Sequence, residues 1–138
     1  MTRKILLLIM VTLVLAACGL KDAPVPPKAQ APPAVSDLAA TVEGDSVLLR
    51  WTVPKVAQAG AFGKGRAVLS RAGTSLADAP CRECPLLFQR VADIPISGAE
   101  AMTYSEKLPR GFKYTYRIVM TFERAGNSPS SNAAVIEY

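Results

Sequence analysis

A period of two is the feature that most constrains what this 138-residue chain can fold into. Tyr114 to Phe122 reads YTYRIVMTF. It sets Tyr114, Tyr116, Ile118 and Met120 on one side of an extended chain and Thr115, Arg117, Val119 and Thr121 on the other. Side chains of a strand alternate between faces, so this spacing predicts a strand with one buried side. Ser46 to Val53, SVLLRWTV, repeats the arrangement: Val47, Leu49 and Trp51 share a face, opposite Leu48, Arg50 and Thr52. Strands are predicted at Asp37–Val42, Ser46–Val53, Arg66–Arg71, Leu87–Ala92, Thr103–Leu108, Lys113–Glu123 and Ala133–Tyr138. Turn formers punctuate them at Glu43-Gly44-Asp45, Pro54, Pro95, Pro109-Arg110-Gly111 and Gly126-Asn127-Ser128-Pro129. About seven short strands with no competing long helical pattern predict an all-β sandwich.

The N-terminus has another character. Met1-Thr2-Arg3-Lys4 is a short basic start, and Ile5 to Ala17 carries no charge and one polar residue, Thr12. As a helix that run spans roughly 20 Å, too short for a bilayer core of about 30 Å. A basic start and a short apolar run read as a secretory signal peptide over residues 1–17. Leu15-Ala16-Ala17-Cys18 resembles the lipobox of bacterial lipoproteins. The resemblance implies cleavage before Cys18, a diacylglyceryl group on its thiol and acylation of its new amino group. One acyl chain binds a membrane reversibly, whereas two or three anchor it firmly. Gly19 stands where an Asp would favour inner-membrane retention in the enterobacterial family, which implies the outer membrane of the cell envelope.

Residues 18–34 form the lipidated Cys and a linker. Five of the sixteen residues from Gly19 to Ala34 are proline. Such a segment is extended and semi-rigid, reaching roughly 50 Å at about 3.1 Å per residue. Cys18-Gly19-Leu20-Lys21 also resembles the start of very small outer-membrane lipoproteins linked to assembly of the lipopolysaccharide translocon. Asp22 and Ala23 stand where those have Gly and Pro. That likeness implies an alternative role as an assembly factor for an outer-membrane complex, acting through the N-terminal segment.

Residues 35–138 carry a further resemblance. PPAVSDLAATVEGDSVLLRWTVP, with Pro33, Leu38, Trp51 and Pro54, resembles the opening of a fibronectin type III domain. LPRGFKYTYRI matches its later consensus at Leu108, Gly111, Tyr114 and Ile118, with Pro109 one position early. GNSPSSNAAVIEY resembles its final turn and strand. The resemblance implies an immunoglobulin-like sandwich with Leu38, Trp51 and Tyr114 in the core. It makes Tyr114 a tyrosine corner whose hydroxyl bonds to backbone a few residues upstream. Val56 to Lys64 and Thr74 to Pro85 are predicted as enlarged loops, and the glycine-rich Gly60–Gly65 as a flexible one without Walker spacing.

The one chemical oddity is DAPCRECPL, holding Cys81 and Cys84. Zinc needs about four ligands, and past Cys18 this pair stands alone in a chain with 0 histidines. A c-type haem needs His after the second Cys, where Pro85 stands. A redox pair is compatible with the spacing, although Pro80 and Pro85 frame a loop rather than a helix start. A structural disulfide is the leading reading, since exported proteins meet an oxidising compartment. So small a loop gains at most about 2 kcal/mol from closure.

Without histidine no Ser-His or Cys-His pair can form, and the carboxylates are spread singly. No catalytic residue, metal ligand set or cofactor is assigned beyond the lipid on Cys18. The chain carries 16 Lys+Arg and 11 Asp+Glu, and loss of Arg3 and Lys4 with the signal leaves 14 against 11, or +3. The basic residues are scattered, which gives no nucleic-acid footprint. The expected partners are the membrane, through the lipid, and an envelope protein or cell-wall polymer. The expected contact surfaces are the loop around Cys81 and Cys84 and the Glu123–Ser131 turn.

Overall fold

The computed structural model describes residues 30–79, 81, 83–98 and 100–138. The signal segment, Cys18 and most of the linker lie outside the described residues. The strands are β1 (Ala39–Glu43), β2 (Ser46–Thr52), β3 (Gly65–Ser75), β4 (Gln89–Pro95), β5 (Ala101–Lys107), β6 (Phe112–Phe122), β7 (Gly126–Asn127) and β8 (Ala134–Glu137). A one-turn helix, α1 (Lys55–Gln58), lies between β2 and β3. One antiparallel sheet has the order β1-β2-β5; the other runs β4-β3-β6, with β7 and β8 both on the far edge of β6.

The sheets face each other across a single apolar core. Leu38, Val47, Leu49, Trp51 and Met102 come from the β1-β2-β5 side, and Ala67, Leu69, Tyr114, Tyr116, Ile118, Met120 and Phe122 from the other. These are the inward sets that the period of two separates. Each such side chain contributes roughly 1.5–3 kcal/mol by leaving water. Trp51 is 2% exposed, and its Nε1–H has no acceptor among the described residues. Packing starts before Val35: Pro32 is fully buried, while Pro33 is exposed.

Several boundaries move from their predicted places. β3 extends through Thr74 and Ser75, predicted as loop, because β6 pairs with it from Gly65↔Phe122 to Ser75↔Phe112. β4 begins two residues later than predicted and ends on Pro95. Proline is tolerated at the end of an edge strand, where no ladder donor is missed. Val91 is skipped between the pairs Leu69↔Ala92 and Ser70↔Arg90, a bulge in β4. Gly60–Gly65 is not the flexible loop its composition predicts. Phe62 is buried with its ring 5.4 Å from that of Phe122, and Arg124 N–H donates to the Phe62 carbonyl at 3.1 Å. Gly65 lies under Phe122 so closely that a Cβ would fall 2.4 Å from its ring.

The last strand is broken for a reason that its composition hides. Between β7 and β8, Ser128 N–H donates to the Met120 carbonyl and Met120 N–H to the Ser128 hydroxyl, at 2.8 and 3.0 Å. Ser131 does the same with Ile118, at 2.8 and 2.9 Å. Two hydroxyls therefore stand in for ladder carbonyls and keep the buried edge of β6 satisfied. Asn132 then reaches across to the other sheet. Its amide donates to the Leu38 carbonyl at 2.8 Å and accepts from Leu38 N–H at 2.9 Å.

Antiparallel order gives the sandwich two poles. The proximal pole holds the start of β1, the α1 segment, the β4–β5 connection and the β6–β7 turn; the Asp37 carboxylate accepts there from Thr52 N–H at 2.9 Å. The distal pole holds the β1–β2 turn, the long β3–β4 connection, the β5–β6 loop and Tyr138.

Candidate functional site

The β3–β4 connection is the largest irregular segment of the described chain. It leaves β3 with Leu76 N–H donating to the Gly111 carbonyl at 2.9 Å and Ala77 N–H to the Ser75 hydroxyl at 3.2 Å. A disulfide then joins Cys81 to Cys84, both exposed. Three large apolar side chains of this connection stay in water: Leu76, Leu86 and Leu87, the last 80% exposed. A single exposed leucine is ordinary, whereas three on one connection make it a candidate contact surface.

Beside the loop, polar groups cross between the sheets. Arg71 of β3 is paired with Glu106 of β5, and the Tyr116 hydroxyl of β6 donates to the second Glu106 oxygen at 2.7 Å. The Arg71 guanidinium also lies 5.6 Å from the centre of the Tyr114 ring. Burial, reinforced by the Glu106 charge and hydrogen bond, pushes the Tyr116 phenol far above its usual range. Burial alone would lower the Arg71 value, but Glu106 reverses that and raises it. A pair of this kind adds little net stability over apolar residues, yet removing one member strands the other and costs about 3–5 kcal/mol. The Tyr114 hydroxyl donates to the Pro109 carbonyl at 2.8 Å. It fixes the β5–β6 loop, which Gly111 (φ 88°) turns in the left-handed region. Arg110 closes that loop onto the C-terminus, its guanidinium 4.8 Å from the Tyr138 ring centre.

The residues singled out in the sequence do not converge. Leu38 and Trp51 are core, Tyr114 is both core and corner, and Cys81 and Cys84 sit at the distal pole. The two expected contact surfaces are at opposite ends: the Glu123–Ser131 stretch begins at the proximal pole, and its Ser128 and Ser131 are buried in the edge of β6. Among the described residues no group of three or more His, Cys, Asp or Glu could hold a metal ion. Arg71 and Glu106 carried no sequence signal, since they are 35 residues apart and meet only across the sandwich.

No protein-family model matches the sequence, and no curated protein matches it significantly. Solved structures do. The chain is similar to the third fibronectin III domain of human KIAA0343 protein, with a TM-score of 0.53, 12% identity, and 88% of this chain and 91% of that one covered. It is also similar to the twitchin kinase region from C. elegans (Fn31-NL-kin-CRD-Ig26), with a TM-score of 0.51 and 15% identity. That match covers 78% of this chain and spans only 17% of the twitchin chain. At such identity the likeness concerns architecture alone, and the architecture is a fibronectin type III-like β-sandwich.

Proposed function

We propose that this protein is a non-catalytic binding module of a bacterial cell envelope, anchored by lipid on Cys18 and held off the membrane by its proline-rich linker. The module presents its distal pole to a protein partner. The carrying observation is the disulfide-closed β3–β4 loop, with exposed Leu76, Leu86 and Leu87, at the pole opposite the one where the chain enters the sandwich. A module tethered at one end meets partners with the other. The core and the Asn132 clamp form a rigid frame for this loop, the usual division between scaffold and binding surface. The lipobox resemblance supports the anchor, and Gly19 supports the outer membrane.

The anchor is tested by fractionation: Cys18→Ser is expected to leave the membrane fraction, and its retention there would refute lipidation. The binding role is tested by in-cell photocross-linking from position 83 and, separately, from position 127. Capture of one dominant envelope protein from position 83 but not from 127 is the expected result. Background at both positions would favour a passive spacer, or the alternative in which the N-terminal segment alone acts in outer-membrane assembly.

The exposure of Cys81 and Cys84 supports a second reading, thiol–disulfide exchange with a partner thiol. A mixed disulfide trapped by a single Cys→Ser variant would carry it.

A further inference from the structure

β3 is longer than the strand that covers it. On the β6 side it is paired from Gly65 to Ser75, but on the β4 side only from Arg66 to Arg71. Backbone groups of an antiparallel strand alternate between its two edges. The Gly65 carbonyl accepts from Ile96 on the β4 side, and Leu76 N–H donates to Gly111 on the β6 side. By that alternation the N–H and C=O of Gly73 and Ser75 face the β4 side, beyond Gln89, where the hairpin opens into the disulfide loop. Among the described residues no backbone group bonds to them there. Unpaired edge groups of this kind are a template for another chain.

Two hollows flank the open edge, and Gly73 and Leu87 line both. The inner one adds Arg71, Leu108, Phe112 and Tyr114. The outer one adds Thr74, Asp78, Leu86 and the two cysteines. We infer that this edge takes up an extended peptide segment of a partner protein as an added strand, its alternate side chains entering the two hollows. The Gly73 and Ser75 groups supply the main-chain hydrogen bonds, and the hollows supply selection, the division of labour in strand addition. Charge defines the occupant further. Among the described residues, Arg71 is the charged one lining the inner hollow, and Glu106 engages one of its donors; a guanidinium has five. Among the described residues, Asp78 is the charged one lining the outer hollow. The fitting strand therefore carries an acidic side chain inward and a basic one next to it, outward. Leu87 packs on their aliphatic stems.

This inference rests on the partner-binding role of the distal pole and specifies its chemistry. Its test uses the full chain in detergent micelles, panned against a phage-displayed library of random short peptides. Enriched peptides with neighbouring acidic and basic residues are expected, and the bound peptide should slow hydrogen exchange at the Gly73 and Ser75 amides. Gly73→Pro, which removes one edge donor, should weaken binding by roughly tenfold. Exchange in the unmodified chain decides the matter even if that variant fails to fold. No enrichment, or a bound peptide that leaves both amides exchanging as before, would overturn strand addition. Capture from position 83 in cells that survives Gly73→Pro would overturn it too, while leaving the distal-pole role standing. Slowed exchange without any in-cell capture would do the reverse.

Discussion

The two poles of the sandwich are closed by different means. At the proximal pole, loop holds loop. Phe62 packs on Phe122, Glu123 N–H donates to the Lys64 carbonyl, Ile96 N–H to Gly65, and Val53 N–H to Glu100, the last three at 2.8–3.0 Å. At the distal pole the β5–β6 loop and the C-terminus are tied in the same manner, Tyr138 N–H donating to Phe112 at 2.9 Å. Among the described residues, the β3–β4 connection is tied in this way only at its start, where Leu76 N–H donates to the Gly111 carbonyl. It has a covalent link four residues across and leaves its leucines in water. The difference separates residues that hold the fold from residues that the fold holds out. Packing and loop-to-loop hydrogen bonds close the first pole; a disulfide shapes the second without burying it.

Substitutions can break or sharpen this contrast. The largest effect is expected at the packed pole: Phe62→Ala should cost about 3–5 kcal/mol in denaturant unfolding. A loss below about 1 kcal/mol would mean that the Phe62 loop is not part of the core. Next comes the inter-sheet network. Tyr116→Phe removes a hydrogen bond to a carboxylate and should cost about 1.5–3 kcal/mol at neutral pH. It should also change the alkaline limb. The folded state holds the Tyr116 phenol neutral well above its ordinary value of 10.0. Its contribution is therefore complete below about pH 10 and is lost above it, as the unfolded chain ionises first. Unfolding midpoints followed to about pH 11 should fall less steeply in the variant, and the raised phenols of Tyr104 and Tyr114 leave some slope behind.

The exposed pole should respond in the opposite sense, with function lost and stability kept. Cys81→Ser with Cys84→Ser should lower stability by at most about 2 kcal/mol yet abolish capture from position 83. Unchanged capture would mean that the disulfide does not shape the contact. Leu87→Ser should be the mildest, within about 0.5 kcal/mol of the parent, with capture again reduced. A larger stability loss would show Leu87 packing in the folded state.

How much of this was legible beforehand follows from which signals are local. β2 and β6 were readable because alternation sorts their own side chains, and Trp51, Tyr116 and Ile118 fall on the buried face as that rule requires. The Tyr114 corner was readable because its acceptor, Pro109, is five residues away. Ser128 reads in sequence as turn punctuation and Ser131 as the end of an exposed turn, since a hydroxyl that replaces a ladder carbonyl looks like any loop serine. α1 has four residues, too few for a helical period to show. The open edge of β3 was hidden as well: it exists because β4 falls short of its neighbour, and that mismatch belongs to two strands together.

The Asn132 amide has a mechanical consequence. It grips both backbone groups of Leu38, the residue just ahead of β1, and β1 itself is paired along its length with β2. Tension arriving from the preceding linker would load this clamp together with the β1–β2 ladder before it reached the core. A segment 94 residues further along the chain thus secures the entry to the sandwich, and a pull from that side would be met by side-chain and ladder hydrogen bonds in parallel.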